Sequence, residues 1–278
     1  ISPEPARLQG TYHNPKFEGF AIQPYKTMQY LHMGKQGDLW QITALILNNG
    51  YQYVATSPPG SESTRVNYTQ TLGINGHWDL LPSSKLSVSA YFQTGKDATN
   101  QEVEAYLFSA ALQQMIHETL SSTLGLDYLS GNGPDDNQIN RAFDPLYGTH
   151  HKFYGFMDYF YVGNPHRQGS GTSGIIDLYL KNTWNVTPST TLLGHIHQFW
   201  SPVNIIPDNP EANQGSLNSN LGAEIDLVVA HSINEYITLK GGYSQMLATS
   251  SMAAIKPGNG AANNFNSWAW VKIGRAHV

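Results

Sequence analysis

Two pairs of side chains in this sequence have a spacing that chemistry can use. His195 and His197 lie two residues apart, and Glu224 and Asp226 repeat that spacing further along. On an extended strand residues i and i+2 point to the same side. Each pair would therefore present two ligand groups together, and imidazole with carboxylate is a donor set suited to a divalent ion. A polar face whose opposite charges pair across neighbouring strands explains the same four residues without a metal. That reading is preferred on sequence grounds: no metal, no cofactor and no catalytic residue is expected.

Asp144, Tyr147, His150, His151, Lys152 and Asp158 gather further polar and aromatic groups in one segment. They could contact a passing solute, or pin the segment in place through hydrogen bonds. Asp135 and Asp136, with Asn132 and Asn137, offer oxygen ligands, but their spacing is not that of an EF-hand loop, and a solvated turn is preferred. Gly169-Ser-Gly-Thr-Ser-Gly174 lacks the Lys-Ser/Thr ending of a phosphate-binding loop and reads as a flexible connection. Ser and His are plentiful, yet no G-x-S-x-G elbow occurs. Hydrolysis of lipid or glycan through His150 or His151 is retained only as an alternative.

The elements that must position these residues are strands. Leu86, Val88, Ala90 and Phe92 alternate with Lys85, Ser87, Ser89 and Tyr91, and Leu120, Leu124, Leu126 and Tyr128 with Thr119, Ser121, Thr123 and Asp127. Ile176, Leu178, Leu180 and Trp184 alternate with Asp177, Tyr179, Lys181 and Thr183. Leu221, Ala223, Ile225, Leu227 and Val229 oppose Glu224 and Asp226, and Ile237, Leu239 and Tyr243 oppose Thr238, Lys240 and Ser244. One face is apolar and the other polar, at period two. Glu102 to Leu120 is rich in helix formers, but Tyr106, Phe108, Ala110 and Leu112 also fit period two, and a strand is expected.

Connection lengths supply an independent pattern. Short turns are expected near Leu80–Ser84, Gln113–Glu118, Val186–Thr190 and Ala230–Glu235. Longer loops are expected near Thr56–Arg65, Thr94–Gln101, Asn132–Ser173, Ser201–Asn218 and Ala248–Asn264. Short and long alternate throughout, as in outer-membrane barrels with short periplasmic turns and long extracellular loops. Lys152 to Val162 looks locally like a strand, yet counting it would break this alternation. Residues 132–173 are therefore assigned to one aromatic-rich extracellular loop that constricts the lumen, and such a long loop is usually functional. A further strand is expected near Phe20–Met33. Aromatic residues at strand ends, among them Trp40, Trp78, Tyr106, Tyr128 and Trp184, suit interfacial girdles.

Composition bounds the alternatives. Charged residues make up 13% of the 278, against about a quarter in soluble domains. The net charge of −5, without a basic cluster, gives no footprint for nucleic acid. Cysteine is absent, which excludes disulfides and thiolate chemistry. No run approaches the roughly 18 apolar residues of a spanning helix; the most apolar stretch, Ile42–Leu47, is strand-sized. A negative mean hydropathy does not separate a soluble protein from a barrel that alternates its faces. The chain starts at Ile1 without Met, so an upstream part is expected, and an open sheet edge in lipid points the same way. Ile273-Gly-Arg-Ala-His-Val278 matches one reading frame of a common sequencing adapter and is expected to be a non-native tail.

Four segments carry a resemblance: FDPLYGTHHKFYGFMDYFY (Phe143–Tyr161), GLDYLSG (Gly125–Gly131), LGAEIDL (Leu221–Leu227) and GGYS (Gly241–Ser244). They resemble the alginate-export-type outer-membrane barrel family, particularly its Bacteroidota-like members. The resemblance implies a porin-like barrel passing a hydrophilic solute or an anionic polysaccharide. A cationic lumen suits a polyuronate, whereas the expected lumen set, Asp177, Lys181, His195, His197, Glu224, Asp226 and Lys240, is mixed in sign. The expected architecture is all-β: residues 1–272 form one incomplete antiparallel transmembrane β-barrel of about 10–12 strands, in contact with outer-membrane lipid. A soluble secreted β-rich binding module is the other alternative.

Overall fold

A computed structural model describes residues 25–56, 62–133, 136, 138–146, 153–161, 166–168, 171–206, 217–256 and 265–275. Eleven long strands among them form one antiparallel sheet. They are β1 (Thr27–Gln36), β2 (Trp40–Thr56), β3 (Glu62–Leu81), β4 (Ser84–Lys96), β5 (Glu102–His117), β6 (Leu120–Leu129), β10 (Ile175–Thr187), β11 (Thr190–Trp200), β12 (Asn220–Ser232), β13 (Ile237–Ala248) and β14 (Phe265–Arg275). Three two-residue strands, β7 (Ile139–Asn140), β8 (Arg167–Gln168) and β9 (Gly171–Thr172), fall within the connection between β6 and β10. That connection leaves the sheet order untouched, since β6 pairs directly with β10. Within the expected range Lys152–Val162, the described residues 153–161 add no strand to the sheet. Among the described residues β1 and β14 each have one partner, so the sheet is open.

Burial is inverted relative to a soluble protein. Leu178, Leu180, Leu227 and Val229 are exposed, while Asp177, His197, Glu224 and Asp226 are each no more than 1% exposed. Exposed apolar side chains extend across the same face from Leu31 on β1 to Val271 on β14. Apolar area left bare on this scale requires an apolar surrounding. The sheet is the wall of an antiparallel transmembrane β-barrel, apolar face outward and polar face inward.

The rims differ as the connection lengths require. Two residues join β3 to β4, β5 to β6 and β10 to β11, and each of these hairpins carries the same one-residue register shift, at Asp79/Leu81, Met115/His117 and Asn185/Thr187. Bulges at barrel rims increase the local twist and turn the chain back. A short turn at 37–39, between β1 and β2, extends the series at a place where the sequence reading marked none. The turn expected at Gln113–Glu118 comes later, because β5 continues to His117 as a strand rather than a helix.

At the opposite rim the loops fold inward. The buried apolar cluster joins Val103, Leu129, Ile175, Phe199 and Met246 on the loop-side ends of strands to Phe143, Tyr154, Phe160 and Tyr161 of the long loop. Met252 and Ile255 of a short helix α1 (Ser250–Ile255) complete it. The core therefore sits inside one end of the wall, where the loops fill it.

Two details depart from the sequence reading. Leu221, expected outward, is fully buried in this cluster, because the register shifts opposite Trp200 and the strand turns at Gly222 (φ +123°). Residues 273–275, expected outside the fold, continue the ladder to Ile237↔Arg275, since ladder bonds use the backbone and tolerate almost any side chain.

Candidate functional site

Strand register brings the inward polar residues into one patch. Asp127 on β6 faces Asp177 on β10, Tyr179 faces His197 on β11, Lys181 faces His195, and His197 and His195 face Glu224 and Asp226 on β12. The two sequence pairs are thus direct cross-strand neighbours. His197 Nδ1 lies 3.0 and 2.9 Å from the two Asp177 carboxyl oxygens, with both side chains 1% exposed. Ser109 Oγ donates to Asp127 Oδ1 at 2.5 Å. Lys181 Nζ stands 4.2 Å from the Tyr179 ring centroid. Lys240 is also inward by register, opposite Ala230 and Lys272, but nearer the short-turn rim and exposed.

The long loop lies on this patch. The Met157 backbone N–H donates to Glu224 Oε1 at 2.9 Å. Gly155 has φ +86°, and a Cβ there would collide with the Glu224 carboxyl, so only glycine lets the loop backbone come this close. Phe156 contacts the His195 ring at 5.1 Å between centroids, and Phe160 contacts Phe199 at 4.8 Å. Further along, Gln93 on β4 accepts from the Asp144 backbone N–H at 2.9 Å and donates to its carbonyl at 2.8 Å. Of the residues expected in the loop, Asp144 is exposed and Asp158 half-buried with φ +55°. Tyr147, His150, His151 and Lys152 lie outside the described residues, as do Asp135 and Asn137.

Two features escaped the sequence reading. Asp127 belongs to the inward patch by its parity on β6, yet the expected lumen set does not include it. Lys256, just past α1, had no sequence signal. Its ammonium donates to the Tyr159 carbonyl and lies 5.5 and 5.4 Å from the Tyr159 and Phe160 ring centroids. Burial pulls the Lys256 ammonium down to about 7. Burial and the Glu224 carboxyl raise the Tyr159 phenol above its usual range.

Charge pairing across strands accounts for only part of the patch. It describes His197 with Asp177. Both Asp226 carboxyl oxygens, Glu224 Oε2 and His195 Nδ1 are buried without a hydrogen-bond partner.

No protein-family model and no curated protein matches the chain. Solved structures similar to it include the outer-membrane channel DcaP of Acinetobacter baumannii, at 9% identity and TM-score 0.48, over 99% of this chain and 66% of that one. The outer-membrane protein OprD from Pseudomonas aeruginosa aligns at 9% identity and TM-score 0.47, over 88% and 67%. The NanC porin aligns at 9% identity and TM-score 0.40, over 89% and 99%. The chain thus spans about two thirds of the first two.

Proposed function

We propose that this chain forms part of the wall of a bacterial outer-membrane channel, through which a hydrophilic solute passes along a lumen narrowed by the loop between β6 and β10. The observation that carries the reading is the inverted burial: apolar side chains bare on one face, ionisable groups and the loop on the other. A soluble binding module would cover its apolar face, and among the described residues no second layer does so. Passage down a gradient needs no covalent step, so no nucleophile or base is assigned. Selectivity follows from lumen width and from the fixed charges along it.

The finer reading, an anionic polysaccharide of alginate type, is supported by the resemblance of Phe143–Tyr161 and its companion segments. The described inward groups carry both signs, Lys181 and Lys240 with Asp127, Asp177, Glu224 and Asp226, which suits a hydrophilic solute recognised by more than its negative charge. Planar-bilayer recording of the full-length protein tests the channel. Discrete current steps are expected, and added oligouronate should reduce them if the solute is a polyuronate. No ion current, with the loop in place or released by Glu224→Ala, would overturn the channel reading.

A further inference from the structure

The inward patch contains a ligand set that the channel reading does not use. His195, His197 and Asp226 each offer one donor atom, and these three atoms all lie within 4.8 Å of one another. An ion held about 2.1 Å from each would draw them to roughly 3.4 Å apart, a side-chain adjustment rather than a backbone one. Asp226 is 1% exposed and stands beside the Glu224 carboxyl on the same face of β12, with neither of its own oxygens in a geometrically formed hydrogen bond. A buried carboxyl left this way is costly unless something neutralises it.

The histidines are arranged for the same purpose. His197 uses Nδ1 on Asp177, which fixes the ring and leaves Nε2 for another partner. A carboxylate behind a ligating imidazole orients the ring and raises its basicity. His195 Nδ1 is buried and has no hydrogen-bond partner. Glu224 stands beside the group but is engaged with the loop backbone at Met157.

We infer that His195, His197 and Asp226 form a binding site for a divalent transition metal of the zinc class on the inner wall, with Asp177 as a positioning residue for His197. Two imidazoles and one carboxylate favour zinc, cobalt, nickel or copper over magnesium or calcium, which take oxygen ligands. Three protein ligands leave a coordination position for water or a solute oxygen.

The test is Zn2+ titration by calorimetry into the full chain, folded in detergent, with Co2+ absorption as a report of ligand geometry. One saturable site is expected. Asp226→Asn and His195→Ala should abolish it. Asp177→Asn should weaken it about 10- to 100-fold while retaining the Co2+ spectrum. Heat-modifiable mobility on gels confirms that each variant is folded, and the near-isosteric Asp226→Asn keeps the test decisive if His195→Ala fails to fold. Joint replacement of His77, His117 and His231, on other parts of the sheet, should leave the site intact. Absence of saturable binding, or binding that survives Asp226→Asn but is lost with those three histidines, would overturn the assignment. The outcome is independent of whether the protein conducts.

Discussion

Glu224 on the barrel wall accepts the backbone N–H of Met157 at 2.9 Å, so a wall residue holds the loop against the inward face. The two are separated by 67 residues in sequence. An intramolecular hydrogen bond contributes about 0.5–1.5 kcal/mol net, and 1.4 kcal/mol is tenfold in an equilibrium. Glu224→Ala should therefore raise the population of the displaced loop by up to about tenfold, read as larger current steps and faster proteolysis between β6 and β10. Glu224→Gln, which keeps the accepting oxygen, should change both far less. Equal effects of the two variants would separate the loop's position from this contact.

Lys256 makes the loop packing sensitive to pH. Its ammonium sits at about 7 in the folded chain, against about 10.5 for an exposed lysine. Between these values the unfolded chain still holds a proton that the folded one has released, so stability rises with pH across that window. Below about 7 both states are protonated and the full cost of burying the charge is present. Lys256→Met keeps the aliphatic stem and removes that cost. It should raise the thermal midpoint more at pH 6 than at pH 10, as followed by near-UV circular dichroism. An equal shift at both pH values would contradict the assignment.

The strands and their inward faces were legible in the sequence because period two and hydrophobicity are local properties. Parity alone assigns Asp177, Glu224 and Asp226 to one face, and the short-long alternation of connections agrees with the lack of a sheet strand among residues 153–161. The packing of the loops was not legible. Contact between Met157 and Glu224, or between Lys256 and Tyr159, depends on how long connections fold back, and no periodicity encodes that. Leu221 shows the limit within a strand: one bulge opposite Trp200 reverses the face that strict alternation assigns. The pairing of residues 273–275 shows the converse, since a backbone ladder forms with almost any side chain.

Tyr179 lies over Gly125, and a Cβ at that position would meet its ring. Gly125→Val should destabilise the folded barrel by about 1–3 kcal/mol through overpacking. Gly194, on the neighbouring sheet region, has only Leu227 near a Cβ, at 3.8 Å. Gly194→Val should therefore fold with a midpoint close to that of the parent chain. Urea unfolding in detergent measures both, and a loss at position 194 as large as at 125 would show that strand glycines here act through backbone freedom alone.

Leu227 and His231 share the outward face of β12, but Leu227 is mid-strand, whereas His231 neighbours the short turn and bonds Thr190 Oγ1 at 2.9 Å. If lipid covers this face, the cost of a cation must depend on depth. An arginine near the bilayer midplane costs about 2–4 kcal/mol and one near the interface about 0–1 kcal/mol. Leu227→Arg should accordingly block most folding into phosphatidylcholine vesicles, while His231→Arg should fold nearly as the parent does. In water both positions would be solvated and both arginines tolerated. The ratio of the two folding yields therefore reads the environment of the face directly, and similar yields would remove the membrane from the account.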